Sequence, residues 1–107
     1  MMAFDDRKNA FETKFALDEE LRFRATARRN RLLGLWAAER LGKTGPEAKA
    51  YARSVVAADF EEPGDEDVIR KVRGDLEAAG LDESETQVRR MMDELMVRAV
   101  REIRSES

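Results

Sequence analysis

The sequence contains no cysteine and no histidine in its 107 residues. Without cysteine there can be no disulfide, no thiolate nucleophile and no zinc site built on sulfur. Without histidine the chain lacks the usual base near neutral pH and the commonest ligand of transition metals. Catalysis would have to rest on carboxylates, on lysines or on Tyr51, the single tyrosine. We therefore predict that the protein is not an enzyme and that it needs no metal or cofactor.

Proline, glycine and long apolar runs are also scarce. The chain has two prolines and six glycines. No stretch approaches the roughly 20 apolar residues that span a membrane, and the amino terminus lacks the apolar core of a signal peptide. With 23 acidic and 20 basic side chains the net charge is −3, which gives no general attraction to nucleic acid or anionic lipid. We expect a cytoplasmic protein that is monomeric when free, binds no nucleic acid and does not insert into a membrane.

Helical patterns account for most of the chain. Charged residues make up 40% of it and apolar residues 42%, a balance typical of amphipathic helices. Glycine and proline interrupt the patterns at three places: Gly42 to Pro46, Glu61 to Gly64, and Gly80. We predict an all-α four-helix bundle over 18–104, with an amino-terminal segment over 1–17 and a loose tail over 105–107. The cap of the fourth helix is either Ser84 with Gln87 or Asp82 with Glu85.

Each helical stretch carries an apolar stripe that predicts its buried face. The stripes are Leu17, Leu21, Ala25, Leu32, Leu35 and Trp36; Ala48, Tyr51, Ala52, Val55 and Val56; Val68, Ile69, Val72, Leu76 and Ala79; and Val88, Met91, Met92, Leu95, Ala99 and Ile103. Gly34 lies inside the first stretch, where glycine costs roughly 1 kcal/mol relative to alanine. Its presence predicts a close helix crossing; a ligand pocket beside Trp36 is the alternative.

A separate stripe of phenylalanines precedes the first of these four apolar stripes. At about 100° per residue, Phe4, Phe11 and Phe15 share a face rotated by roughly a quarter turn from the leucine stripe. A helix that packs on one core keeps one apolar direction. We therefore interpret the segment as a binding helix that becomes ordered on an apolar groove of a partner. In the alternative, the segment folds back and its rings join the core.

Five arginines form the densest charge cluster: Arg22, Arg24, Arg28, Arg29 and Arg31. Asp18, Glu19 and Glu20 lie one turn away and can pair with them. The leading interpretation is a solvated, partly paired face. The alternatives are a docking surface for an acidic protein or a phosphate group, and a nucleic-acid groove.

Two stretches carry a resemblance to a known family. They are FDDRKNAFETKFALDEELRFRATARRNRLLGLWAAERLG, from Phe4, and ADFEEPGDEDVIRKVR, from Ala58. They closely resemble the zeta subunit family of alphaproteobacterial ATP synthases, and the resemblance covers essentially the whole chain. Its most specific parts are Phe4, Asp5 and Arg7; Arg28, Arg29 and Asn30 with Leu32 to Ala37; and the connection from Asp59 to Asp67.

The resemblance implies an inhibitor of the F-type ATPase, built as a four-helix bundle with a mobile amino-terminal inhibitory segment. In that family the segment enters a catalytic interface between the alpha and beta subunits, close to the rotating gamma shaft, and becomes helical there. It acts as a wedge against hydrolysis, whereas rotation in the synthesis direction tends to release it. The implied location is cytoplasmic, peripheral to the inner membrane through the ATP synthase.

Carried over to this chain, the resemblance implies three apolar anchors, Phe4, Phe11 and Phe15. The orienting charges are Asp5, Asp6, Arg7, Lys8, Glu12 and Lys14. The family is also associated with an adenine nucleotide ligand, for which Arg28, Arg29 and Trp36 are the candidate residues here, although the chain has no glycine-rich phosphate loop. The alternative to inhibition is a small bundle that binds adenine nucleotide or RNA through the basic face from Arg22 to Arg31.

Overall fold

The computed structural model describes residues 19–59 and 64–106. These residues form α1 (Glu19–Arg40), α2 (Gly45–Ala58), α3 (Glu66–Ala78) and α4 (Glu85–Glu106). No strand occurs within the two described ranges, and the predicted all-α four-helix fold is confirmed. The predicted segment 1–17 lies outside the described residues, as do residues 18, 60–63 and 107.

Glycine ends α1 in a Schellman motif. Gly42 follows the helix with φ at 78°, a left-handed conformation that favours glycine. The Lys43 N–H donates to the Ala38 carbonyl at 2.9 Å, and the Gly42 N–H donates to the Glu39 carbonyl at 3.1 Å. Gly80 ends α3 in the same way, with φ at 79°. Both glycine breaks therefore end their helices as predicted.

The start of α4 is fixed by a reciprocal cap. The Gln87 N–H donates to Ser84 Oγ at 3.1 Å, and the Ser84 N–H donates to Gln87 Oε1 at 3.3 Å. This is a capping box, so the pair Ser84 and Gln87 is the cap, rather than Asp82 with Glu85. At its other end α4 continues through Glu106, which corrects the predicted helix end at 104.

The helices α1 and α2 approach each other most closely at Gly34. A Cβ atom on Gly34 would lie 2.6 Å from the Cα of Ala52 and 3.1 Å from its Cβ. Since Ala52 belongs to the backbone of a packed helix, it cannot move aside without moving α2. The predicted close crossing is confirmed, and Ala52 fills the space that the alternative ligand pocket would need.

The helix α1 is the centre of the bundle. It packs against α2, α3 and α4, whereas no Cα atom of α2 comes within 8 Å of one in α4. Arg28, near the middle of α1, pairs with Glu106 at the end of α4, and Arg40 at the end of α1 pairs with Glu83 just before α4. These two pairs show that α1 and α4 run antiparallel. The core contains buried side chains from all four helices, including Leu33, Val55, Val72, Leu76 and Val88.

The buried face of α1 differs from the predicted stripe. Ala25 is buried as predicted, but Leu21, Leu32, Leu35 and Trp36 are only half-buried, and Leu17 lies outside the described residues. The interior positions belong instead to Leu33, Gly34, Ala37 and Ala38. Three neighbouring helices crowd α1, so small side chains occupy its interior while Leu32 and Trp36 pack at the edge of the core. In α2, α3 and α4 the predicted positions are buried or half-buried, except Ala79, which is exposed just after α3.

We expect Gly34→Ala to lower the free energy of unfolding. Overpacking costs about 1–3 kcal/mol, which exceeds the gain of about 1 kcal/mol from replacing glycine by alanine in a helix. The net loss, up to about 2 kcal/mol, is measurable by urea denaturation followed by circular dichroism.

Gly74→Ala is the matched control, because Gly74 also lies inside a helix and a Cβ there would meet no atom within 4 Å. This variant should gain up to about 1 kcal/mol. Equal stabilisation by the two changes would show that the crossing does not require glycine.

Candidate functional site

The residues predicted to bind a partner precede α1. Phe4, Asp5, Asp6, Arg7, Lys8, Phe11, Glu12, Lys14 and Phe15 all lie outside the described residues. The chain enters the described bundle at Glu19, and residues 19–24 are exposed or half-buried. The first buried residue of the described ranges is Ala25. The first turn of α1 therefore contributes no buried residue to the described core.

Arg28 joins the middle of α1 to the end of α4. Its Nη1 lies 2.7 Å from Glu106 and 3.6 Å from Glu102. The hydrogen bond from Arg28 is the main reason why the pKa of Glu106 is lowered, with Arg24 acting in the same direction. The predicted basic face is thus partly paired, but its partners come from the far end of the sequence rather than from the neighbouring turn.

Arg29 is buried rather than solvated, with 5% of its surface exposed. Its Nε and Nη2 donate to Asn30 Oδ1 at 3.0 and 2.7 Å. Its Nη2 and Nη1 donate to the two Asp65 carboxylate oxygens at 2.8 and 3.4 Å. Asp65 occupies the N-cap position of α3, yet its side chain makes no cap hydrogen bond. Arg29 therefore ties the start of α3 to α1.

The interpretation of Arg29 as part of a solvated face was wrong. Ala25, Arg29, Leu33 and Ala37 follow one another at intervals of four and all are buried. Residues four apart lie on the same side of a helix. The sequence therefore carried a signal for the burial of Arg29, because its position falls within an apolar row.

Asp59 lies at the end of α2, close to this network. Burial raises the pKa of Asp59, and the Asp65 and Asp67 carboxylates act in the same direction. Arg29 and the nearby Asn30 amide act to lower the pKa of Asp59 and so oppose this rise. The Asn30 Nδ2 atom is buried, and no acceptor lies within hydrogen-bond geometry of it. The net effect is that the negative charge of Asp59 is disfavoured in the folded protein.

Trp36 lies towards the other end of α1. The Arg40 guanidinium sits over its ring at 5.5 Å from the centroid, in cation–π geometry. Arg28 is eight residues away, about 12 Å along the helix axis, and the buried Arg29 bonds to Asp65. The three residues predicted for an adenine nucleotide therefore do not form one open surface.

An open groove lies over the first half of α1, beside the ends of α2 and α4. Its apolar lining is Phe23, Ala27, Val56 and Ile103, and its charged lining is Arg24, Arg28 and Arg31. We call it the basic groove. Its volume is about 380 Å³, and 61% of the Phe23 surface is exposed. The phenylalanine stripe considered from the sequence did not include Phe23.

Tyr51, the single tyrosine, is tied to α3 by a hydrogen bond. Tyr51 donates to Asp75 at 2.8 Å, and burial is the main reason why its pKa is raised. Within residues 19–59 and 64–106 no group of His, Cys, Asp or Glu side chains could hold a metal ion. No helix of these ranges has the length and apolar character needed to cross a bilayer.

A small all-α bundle with a groove that is both apolar and basic is typical of proteins that act by binding a partner. The chain belongs to the ATPase inhibitor subunit zeta family, whose family model matches residues 1–102. The match therefore includes the amino-terminal segment that precedes α1.

The fold is shared with a solved structure. A protein whose solution NMR structure is known is 52% identical to this chain and superimposes with a TM-score of 0.72. The similarity covers 81% of this chain and 99% of that one. No curated protein matches the sequence.

We expect Asp59→Asn to raise the melting temperature at about pH 7. Burial makes the charged form of Asp59 unfavourable in the folded protein, and asparagine carries no charge. Because the folded-state pKa is raised, the wild type regains stability as the pH falls through that pKa. The difference between variant and wild type should therefore shrink towards about pH 4.

The control is Asp93→Asn, because Asp93 is exposed on α4. Thermal unfolding followed by circular dichroism across this pH range measures both variants. A lower melting temperature for Asp59→Asn at neutral pH would mean that attraction to Arg29 outweighs the cost of burial.

Proposed function

We propose that the protein inhibits ATP hydrolysis by the F-type ATP synthase by inserting its amino-terminal segment at an interface between the alpha and beta subunits, near the gamma shaft. Membership of the ATPase inhibitor subunit zeta family supports the inhibition of an ATPase. The observation that carries the insertion is that Phe4, Phe11 and Phe15 lie upstream of α1, in which the first buried residue is Ala25. An apolar stripe upstream of first turns that bury no side chain favours a binding role.

The mechanism is mechanical and requires no bond to be made or broken by the inhibitor. The three phenylalanines fill apolar space between the subunits, and the charged residues around them set the orientation. Buried aromatic anchors generally dominate the energy of such an interface. Hydrolytic rotation tightens the interface around the segment, whereas synthetic rotation releases it. The protein is then cytoplasmic and held at the membrane only through the synthase.

The described bundle is suited to serve as the body behind this wedge. The helix α1 is held against α2 by backbone contact at Gly34 and against α4 by the pairs of Arg28 and Arg40. Its first turns are exposed. A helix that is packed against its neighbours but exposed in its first turns can support an inserted segment without unfolding.

We expect Phe11→Ala to weaken inhibition by about tenfold or more, the effect typical of an interfacial aromatic anchor. The circular dichroism spectrum of the free protein should be nearly unchanged. The measurement is inhibition of ATP hydrolysis by the purified synthase as a function of inhibitor concentration. Val97→Ala is the control, because Val97 is an exposed apolar residue on α4 with 59% of its surface accessible.

Deletion of residues 1–15 should abolish inhibition and leave the bundle folded. Global unfolding of this truncation would show instead that the phenylalanine rings belong to the core. Unaltered potency of Phe11→Ala would remove the anchor role of that side chain.

We also expect no pH switch. The chain has no histidine, the side chain that usually titrates near neutral pH. Its inhibitory potency, normalised to the uninhibited rate at each pH, should vary little between about pH 6 and 8. A steep change centred near pH 6.5 would require a titrating group that this chain does not supply.

The competing proposal is a ligand site for adenine nucleotide or RNA on the basic face. The structure gives it less support, because Arg29 is 5% exposed and Arg28 is engaged by Glu102 and Glu106. Titration of the 15N-labelled protein with ADP distinguishes the two proposals. Chemical-shift changes at Arg28 or Trp36 would favour the ligand site, and their absence would dismiss it.

A further inference from the structure

We propose that the basic groove docks an acidic segment on the surface of the ATPase head, beside the point at which the inserted amino-terminal segment leaves the head. This second contact rests on the proposed function and extends it. The insertion uses residues upstream of α1, whereas the docking uses described residues of α1, α2 and α4.

The apolar part of the groove arises from a difference in helix length. Phe23 precedes Gly34 by eleven residues, which is close to three full turns, so both residues lie on the side of α1 that faces α2. The chain reverses between the two helices, and α2 ends at Ala58, only six residues beyond Ala52. The helix α1 has 22 residues and α2 has 14. Phe23 therefore extends past the end of α2 and stays 61% exposed.

The charged part of the groove favours a carboxylate ligand. Arg28 already binds the Glu106 carboxylate at 2.7 Å, so the groove accepts an acidic side chain from its own chain. Arg24 and Arg31 are exposed and form no ion pair with any residue of 19–59 or 64–106. Glu106 pairs with Arg28, and Glu102 pairs with both Arg28 and Arg98. Arg24 attracts Glu106 without pairing with it, so the guanidinium groups of Arg24 and Arg31 can each bind a carboxylate of a partner.

The position of the groove identifies the partner surface. Glu19 begins α1, and Phe23 lies four residues later, about 6 Å along the helix axis. A partner that encloses the segment before Glu19 must present its outer surface to the next turns of α1. The segment that fits there carries carboxylates for Arg24 and Arg31 and an apolar side chain for Phe23.

The test measures binding and inhibition separately with the full-length protein. Two variants alter the groove: Phe23→Ala, and Arg24→Gln combined with Arg31→Gln. Their matched controls are Val97→Ala, and Arg90→Gln combined with Arg101→Gln, since these residues are exposed on α4. The Kd for the purified ATPase head is measured by fluorescence anisotropy of protein labelled at its carboxyl terminus, and circular dichroism verifies the fold of each variant.

Both groove variants should raise the Kd about tenfold, and the arginine variant should lose much of the dependence of Kd on salt. The controls should stay within about twofold of the wild type. At saturating concentration every variant should still inhibit fully, because the inserted segment is unchanged.

Several results would overturn the docking proposal. Unchanged Kd values for both groove variants, with normal inhibition, would remove the docking and leave the insertion intact. Tighter binding by the groove variants would show that the groove binds another segment of the same chain in the free protein, rather than the ATPase head. Competition by ADP that disappears in the arginine variant would identify a nucleotide site instead.

Failure of the proposed function gives a different pattern. Binding that depends on the groove without any inhibition would overturn the insertion and support the docking. Absence of any binding to the head would overturn both proposals.

Discussion

The close contact between the α1 and α2 backbones at Gly34 determines how the rest of the molecule is arranged. A contact between backbones leaves no side chain that can repack, so the position of α1 on α2 is fixed along the helix axis and in rotation. That rotation turns Arg29 into the bundle. It also places Phe23 on the side of α1 that faces α2, but beyond the last residue of α2. The core network and the basic groove are therefore consequences of one crossing.

Electrostatic contacts also link the outer helices to α1, but they contribute unequally to the stability of the bundle. The pairs of Arg28 with Glu106 and of Arg40 with Glu83 are partly exposed, and such pairs contribute little to stability because water and salt screen them. Arg29 is different, because its side chain is only 6% exposed. A buried guanidinium must keep its acceptors, so Asn30 and Asp65 specify how the start of α3 meets α1. The surface pairs mainly set the orientation of α4.

The same arrangement separates the two tasks that we assign to the protein. In our proposal, inhibition depends on the phenylalanines upstream of α1. Docking depends on side chains that a rigid helix holds in place. An inhibitor that inserts a segment loses conformational entropy when that segment becomes ordered. A second contact on a preformed surface offsets part of that cost, because little ordering is needed there.

The sequence alone determined the helical class and both glycine helix ends, limited the cap of α4 to two residue pairs, and favoured a close crossing at Gly34. Each depends on local geometry or on periodicity that one stretch of chain carries by itself. Only the tertiary structure decided that Arg29 bonds to Asp65, that Arg28 pairs with residues more than seventy positions away, and that Phe23 is exposed. These outcomes depend on which helices meet and where each of them ends. Relations between distant parts of the chain arise from packing, and the local pattern of residues does not contain them.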